Sequence, residues 1–340
     1  MYTAPDGTGY FVVDGHIHYW DGSPANQRNK YGEGFIGCFY DYHANLSPPE
    51  WVWPREKFEK YDEATLMHDL FDEGHVDVGI FQPTYLTDFY TNGFNTTERD
   101  AILKDKYPDR FVLNTSFEPR EGAAGIPAFK EKVKRYGSTG VKLYTAEWRG
   151  DSKGWKLTDD DARRYLDACV ELGVVNVHVH KGPTIWPLNK DAFDVSDVDH
   201  VATEYRDAGL RFIVEHVGMP RVEDFNWIAV QEPNVYGGLA VCVPFIHTRP
   251  RYFAEVLSEL LFWVGEDRLL FASDYAIWHP KWIVEKLVAF DLPEDLKQET
   301  GVKFDVETKR KILGLNAAKL YGLDVPANLR LAEPAGAAGE

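Results

Sequence analysis

The stretch Phe11-Val12-Val13-Asp14-Gly15-His16-Ile17-His18 decides how this chain reads. It opens on a short apolar run that suits a buried strand. Side chains two apart on a strand share a face, so His16 and His18 can reach one metal ion from a single strand end. Imidazole is the commonest protein ligand for zinc, manganese and iron. A lone His-x-His is a short pattern, and its meaning depends on where the other histidines and acids fall.

Outward from that strand the chain settles into a rhythm. Strand-like runs at 76–83, 110–115, 139–144, 174–180, 210–217, 235–243 and 269–274 alternate with helical spacing at 64–71, 96–107, 124–136, 159–172, 195–208, 222–230, 250–264 and 281–290. Alternation of this kind implies parallel strands. Eight such units predict an α/β chain closed into a (β/α)8 TIM barrel over residues 10–324. An open doubly wound sheet is the alternative, but no glycine-rich phosphate loop is present. The first strand is followed by a long aromatic-rich excursion, residues 21–62, with loop signals at Asp21-Gly22-Ser23-Pro24 and Ser47-Pro48-Pro49. It reads as a long loop, either a lid-like insertion or a packed surface insertion. A helix is expected over 305–320, and residues 325–340, rich in Ala, Gly and Pro, read as a disordered tail.

Composition narrows the partners. The net charge of −17 argues against nucleic acid. No run of 18 apolar residues is present, so no membrane span is expected. Three distant cysteines, Cys38, Cys169 and Cys242, and no secretory pattern at the N-terminus point to a reducing cytoplasm.

In a barrel of this type functional groups sit at the C-terminal strand ends. Strand 1 ends in His16 and His18, strand 4 carries Lys142, and strand 5 ends in His178-Val179-His180. Strand 6 carries His216, and strand 8 ends in Ser273-Asp274-Tyr275. Imidazoles and one carboxylate are the donors a catalytic metal uses while keeping an open position. His216 can ligate or act as general acid–base, and Asp274 can ligate and take a proton. The plainer readings are a core histidine and a helix N-cap. Arg149 can grip a substrate carboxylate, and His247 and His279, just beyond strands 7 and 8, can orient substrate. Glu147 is a second possible bridging ligand.

These motifs together resemble the amidohydrolase superfamily. Asp14-Gly15-His16-Ile17-His18 is similar to its first-strand motif, His180-Lys181-Gly182 to its fifth, and Phe271-Ala272-Ser273-Asp274-Tyr275 to its eighth, with Ala272 where glycine is usual. Asn316-Ala317-Ala318-Lys319-Leu320-Tyr321-Gly322-Leu323 resembles the closing motif of its decarboxylase-like branch. The resemblance implies one or two divalent ions (Zn, Mn or Fe) held by His16, His18, Lys142, His180, His216 and Asp274. In binuclear members the strand-4 lysine is carboxylated and bridges the ions; mononuclear members also carry Gly-Val-Lys there, so Lys142 does not discriminate. His178 is then a supporting or core residue. The implied activity is hydrolysis or non-oxidative decarboxylation of a small carboxylate or aromatic substrate. The alternative is an O2-dependent hydroxylase with a dinuclear Mn/Fe or Fe/Fe site, resembling isobutyrate hydroxylase. A third reading is a non-catalytic partner subunit of an active homologue, and assembly as a homo-oligomer or with a paralogue is expected.

Overall fold

In the computed structural model, which describes residues 1–331, the eight strands form one parallel ring. They are β1 Val13–Ile17, β2 Val78–Phe81, β3 Phe111–Thr115, β4 Gly140–Leu143, β5 Asn176–His180, β6 Arg211–Glu215, β7 Val235–Gly238 and β8 Leu269–Leu270. Each pairs in parallel with the next in the chain. The ring is closed between its first and last strands by the Gly15 N–H donating to Phe271 O (2.9 Å) and the His18 N–H donating to Tyr275 O (2.7 Å). Helices cover the outer face, so the strands are buried on both sides. That is why they read as nearly continuous apolar runs rather than alternating ones.

The register of β1 on β2 shifts between Asp14 and Ile17. This irregularity holds Gly15 and His16, and bulges of this kind re-aim a side chain beside a site. At the opposite end of the barrel, Phe11, Val13, Ile80, Val112, Ile213 and Leu270 pack on Ala317, Ala318 and Leu320. The latter three lie on or at the edge of the helix Asn316–Tyr321, which plugs the floor and sends Tyr321 into the interior. Asn316 fastens this helix by donating to Glu266 O and Leu269 O.

Two expectations need correction. The excursion at 21–62 is not structureless: Lys30–Leu46 is a 17-residue helix, followed by short turns at Pro49–Trp51 and Arg55–Glu59. Gly32, Gly34 and Gly37 masked it, because glycine is a poor helix former. Tertiary packing overrides that propensity: Phe35, Phe39 and His43 lie four residues apart on one buried face. Gly34 is needed because a Cβ there would collide with the Trp186 ring. The second correction concerns the tail. Ala327–Leu329 forms a 3-10 turn and Leu329 is buried, packing against Gly9; residues 332–340 lie outside the described residues. Among the described residues the three cysteines are free, and no helix is long and apolar enough to cross a membrane.

Candidate metal centre

At the C-terminal mouth of the barrel, β1 delivers His16 and β1's continuation delivers His18. Their Nε2 atoms lie 3.1 Å apart. Asp274 Oδ1 sits 3.3 Å from His18 Nε2 and 3.6 Å from His16 Nε2. All three side chains are buried. Lys142, from β4, places Nζ 3.1 Å from His16 Nε2. His180, at the end of β5, brings Nδ1 within 2.9 Å of His216 Nε2, and His216 Nδ1 lies 3.9 Å from Asp274 Oδ2. The six rim residues expected to meet therefore do so. His178 points down into the barrel instead.

What the imidazoles offer is decided by the groups behind them. His16 Nδ1 lies 3.0 Å from Glu215 Oε2, a close charge contact outside hydrogen-bond geometry; a carboxylate there favours the ring proton on Nδ1, which leaves Nε2 as a lone pair. Behind His18, Asn95 donates through Nδ2 to both carboxylate oxygens of Asp100 (2.8 Å each). That fixes the amide, leaving Asn95 Oδ1 to accept from His18 Nδ1 at 2.9 Å. His18 Nε2 is then also a lone pair. Two lone pairs and a carboxylate oxygen face one another in a buried space; Lys142 Nζ answers the His16 lone pair, and a cation between the three groups would satisfy them together. The donor set fits a divalent ion of the zinc, manganese or iron kind.

The titration behaviour agrees. Burial, reinforced by the Lys142 charge, pushes His16 down to about 3, and burial likewise holds His180 well below and His216 below the usual imidazole range. Neutral imidazoles are the ligand form. Burial alone would raise Asp274, but the surrounding imidazoles hold its carboxyl well below the usual range. Burial pushes the Lys142 ammonium down to about 8 against the opposing pull of Glu215 and Asp274.

Backbone strain concentrates at the same rim. His216 (φ 69°), Val217 (φ 46°), Val241 (φ 66°) and Asp274 (φ 60°) all occupy the left-handed region without being glycine. Such conformations cost free energy and persist where the surroundings impose them. Asp274 is not a helix N-cap: His279 caps the helix Pro280–Ala289, its Nδ1 accepting from the Lys281 N–H.

Glu215, Asn95, Asp100 and Tyr321 are the functional residues that motif reading missed. Glu215 Oε1 lies 2.5 Å from His178 Nδ1, and Tyr321 Oη donates to His178 Nε2 at 2.6 Å. A buried relay thus joins the floor helix to His16. Gly238 makes room for it, since a Cβ there would collide with the Glu215 carboxylate. A signal for Glu215 existed: the alternation that puts Ile213 inside the barrel puts Glu215 inside too.

The centre opens into a small chamber, about 20 Å3 measured to the centres of water-sized spheres and larger once the spheres' own radii are counted. Its walls include Phe39, Phe94, Tyr144, Ile185 and Trp278, and helix Lys30–Leu46 covers it with Phe39 and Tyr42. The three residues expected to contact substrate are elsewhere. Arg149 is exposed and pairs with Glu121 (3.0 Å) and Glu118 (3.8 Å). His247 is half-buried with its ring 6.0 Å from that of Trp282, and His279 lies against Trp51. Glu147 accepts from the Thr87 N–H and lines the cleft beyond β4 as well as a small cavity that it shares with Lys142 and Tyr144.

Solved structures with this fold include an uncharacterised TIM-barrel protein from Bordetella bronchiseptica, at 17% identity and a TM-score of 0.67, covering 92% of this chain and 98% of that one. A 5-carboxyvanillate decarboxylase from Novosphingobium aromaticivorans, in complex with manganese and 4-hydroxy-3-methoxy-5-nitrobenzoic acid, aligns at 15% identity and a TM-score of 0.58, covering 93% and 97%. A probable 2-pyrone-4,6-dicarboxylic acid hydrolase from Acinetobacter baumannii aligns at 14% and 0.54, covering 92% and 99%. No curated protein sequence matches the chain. The amidohydrolase family model matches residues 13–323, from the first barrel strand to the end of the floor helix. With its histidine pair, Asp274 and barrel all in that span, the chain belongs to the amidohydrolase family.

Proposed function

We propose that this protein is a metal-dependent hydrolase or carboxy-lyase acting on a small carboxylate, with one divalent ion held by His16, His18 and Asp274. The observation that carries this reading is the pair of imidazole nitrogens, each ring with an acceptor behind it, converging on an ionised carboxylate. A divalent ion there polarises a substrate oxygen and acidifies a water. The chain's own residues do the rest. His216 has Nδ1 3.2 Å from Ala240 O and 3.9 Å from Asp274, which leaves Nε2, facing His180, to hold or move a proton. Lys142 Nζ stands beside His16 as a fixed positive group. The aromatic cover of Phe39 and Tyr42 keeps bulk water out, which strengthens each of these interactions. The activities of the aligned structures, a decarboxylase holding manganese and a probable hydrolase, support the same two reaction types, and manganese joins zinc and iron as a candidate ion.

A second reading has two ions, with a carboxylated Lys142 between them. It is favoured by His180 Nδ1 and His216 Nε2 facing each other at 2.9 Å while the His180 Nε2 is buried without a partner. Elemental analysis of the purified protein separates the two: one ion per chain is expected, and two would establish the second reading. His16→Ala is expected to drop the content to background with an unchanged far-ultraviolet spectrum; wild-type content in that variant would sink both. Undiminished turnover under nitrogen is expected and would remove the O2-dependent hydroxylase.

A further inference from the structure

We infer that the chamber selects a substrate carrying one carboxylate and a neutral oxygen acceptor, with the acceptor bound by Tyr144 Oη and Trp278 Nε1. This deepens the metal reading above and rests on it. Tyr144 is 7% exposed and Trp278 is 0% exposed, and both line the chamber. Neither polar atom has a hydrogen-bond partner among the described residues. A buried donor left unpaired is costly, and one on the wall of a chamber is paired when an acceptor enters it. Tyr144 stands beside the metal centre, its ring centroid 4.4 Å from that of His180. Trp278 arrives on the turn that carries Asp274. Both groups are neutral, and a neutral donor pair matches a hydroxyl, carbonyl or nitro oxygen better than a second carboxylate.

Charge points the same way. No arginine lines the chamber. Even with Lys142 fully charged, a divalent ion faces Asp274 and Glu215, leaving at most one positive charge unbalanced. Two divalent ions with a carboxylated Lys142 leave the same single charge, so the conclusion does not depend on the ion count. One substrate carboxylate balances it. A second would be buried without a counter-charge, which is strongly disfavoured. The chamber therefore differs in selectivity from a site built for a dicarboxylic acid, the substrate class named for the probable hydrolase from Acinetobacter.

The test uses two probes of the same shape, 3-nitropropionate and succinate, on full-length protein loaded with Mn(II). Binding is read from broadening of the probes' proton signals, and manganese per chain is measured on the same sample. The expected result is 3-nitropropionate binding about tenfold or more tighter than succinate. Tyr144→Phe and Trp278→Phe should each weaken 3-nitropropionate by roughly fivefold or more at unchanged manganese content, narrowing its advantage over succinate. Succinate binding as tightly as 3-nitropropionate to stoichiometrically loaded protein overturns this inference alone. So does loss of manganese, rather than of probe selectivity, in the Tyr144 and Trp278 variants. Wild-type protein that fails to load manganese, zinc or iron overturns the metal reading and this inference with it.

Discussion

Two regions on the same face of the barrel gather titratable groups, and they behave in opposite ways. The cleft between the loops after β2, β3 and β4 has a volume of about 490 Å3 and is lined by Asp88, Glu118, Glu121, Glu147, Lys132 and Arg149. The chamber at the barrel mouth is far smaller, about 20 Å3. In the cleft the charges answer one another: Arg149 meets Glu121 and Glu118, Arg120 meets Glu118 at 2.6 Å, and Lys132 meets Glu98 at 3.3 Å. In the chamber, the two facing imidazole nitrogens are 3.1 Å apart, and Tyr144 Oη and Trp278 Nε1 have no partner among the described residues. Size and the number of acids do not mark a site. Polar groups held in place by others behind them, yet unsatisfied in front, do.

The contrast can be broken at its strongest point first. Asp274→Asn removes the only carboxylate among the three converging ligands, and activity is expected to fall by about a thousandfold or more with metal content near background, read by turnover and elemental analysis. Next comes the support behind the ligands. Glu215→Gln keeps the shape but can donate toward His16 Nδ1 and unlock its tautomer; metal affinity is expected to fall about 10–100-fold in a chelator competition.

The cleft should respond more mildly and through pH. Burial pushes Glu147 up to about 7 from an ordinary 4.5. The folded form therefore holds its proton more tightly than the unfolded one. The stability this contributes is full below 4.5 and is lost as pH rises through 7. Glu147→Gln should then be more stable than the parent at pH 9, by about 1 kcal/mol once its residual solvent contact is discounted. At pH 4 the two should melt together. The smallest effect belongs to Arg149→Ala, expected to leave KM within about twofold and stability within about 1 kcal/mol, since its pairs are exposed. A large rise in KM there would show that the cleft, not the chamber, receives substrate.

Much of this was legible beforehand for a physical reason. Parallel strands buried on both faces must be apolar runs, and the helices between them must be amphipathic, so 110–115, 174–180 and 250–264 announce themselves within a residue or two of Phe111–Thr115, Asn176–His180 and Pro250–Trp263. The ligands were legible because a barrel presents strand ends at one mouth, and His16, His18, His180 and Asp274 all fall there. The helix Lys30–Leu46 was not, since its three glycines obey neighbours such as Trp186 that lie far away in the chain. Arg149 was misread for a related cause: a long cation on a loop takes whatever acids the fold brings near it.

The order of residues alone determined that eight strand–helix units would close into a ring and that four histidines, Lys142 and Asp274 would gather at one end of it, because period and strand direction are local properties. Only the tertiary structure decided which nitrogen of each imidazole faces inward, through Glu215 behind His16 and the Asn95–Asp100 pair behind His18. It alone decided that Tyr144 and Trp278 would be left as open donors beside them. Tautomers and unmet hydrogen bonds depend on partners up to 199 positions apart, as between His16 and Glu215, and no local pattern carries that information.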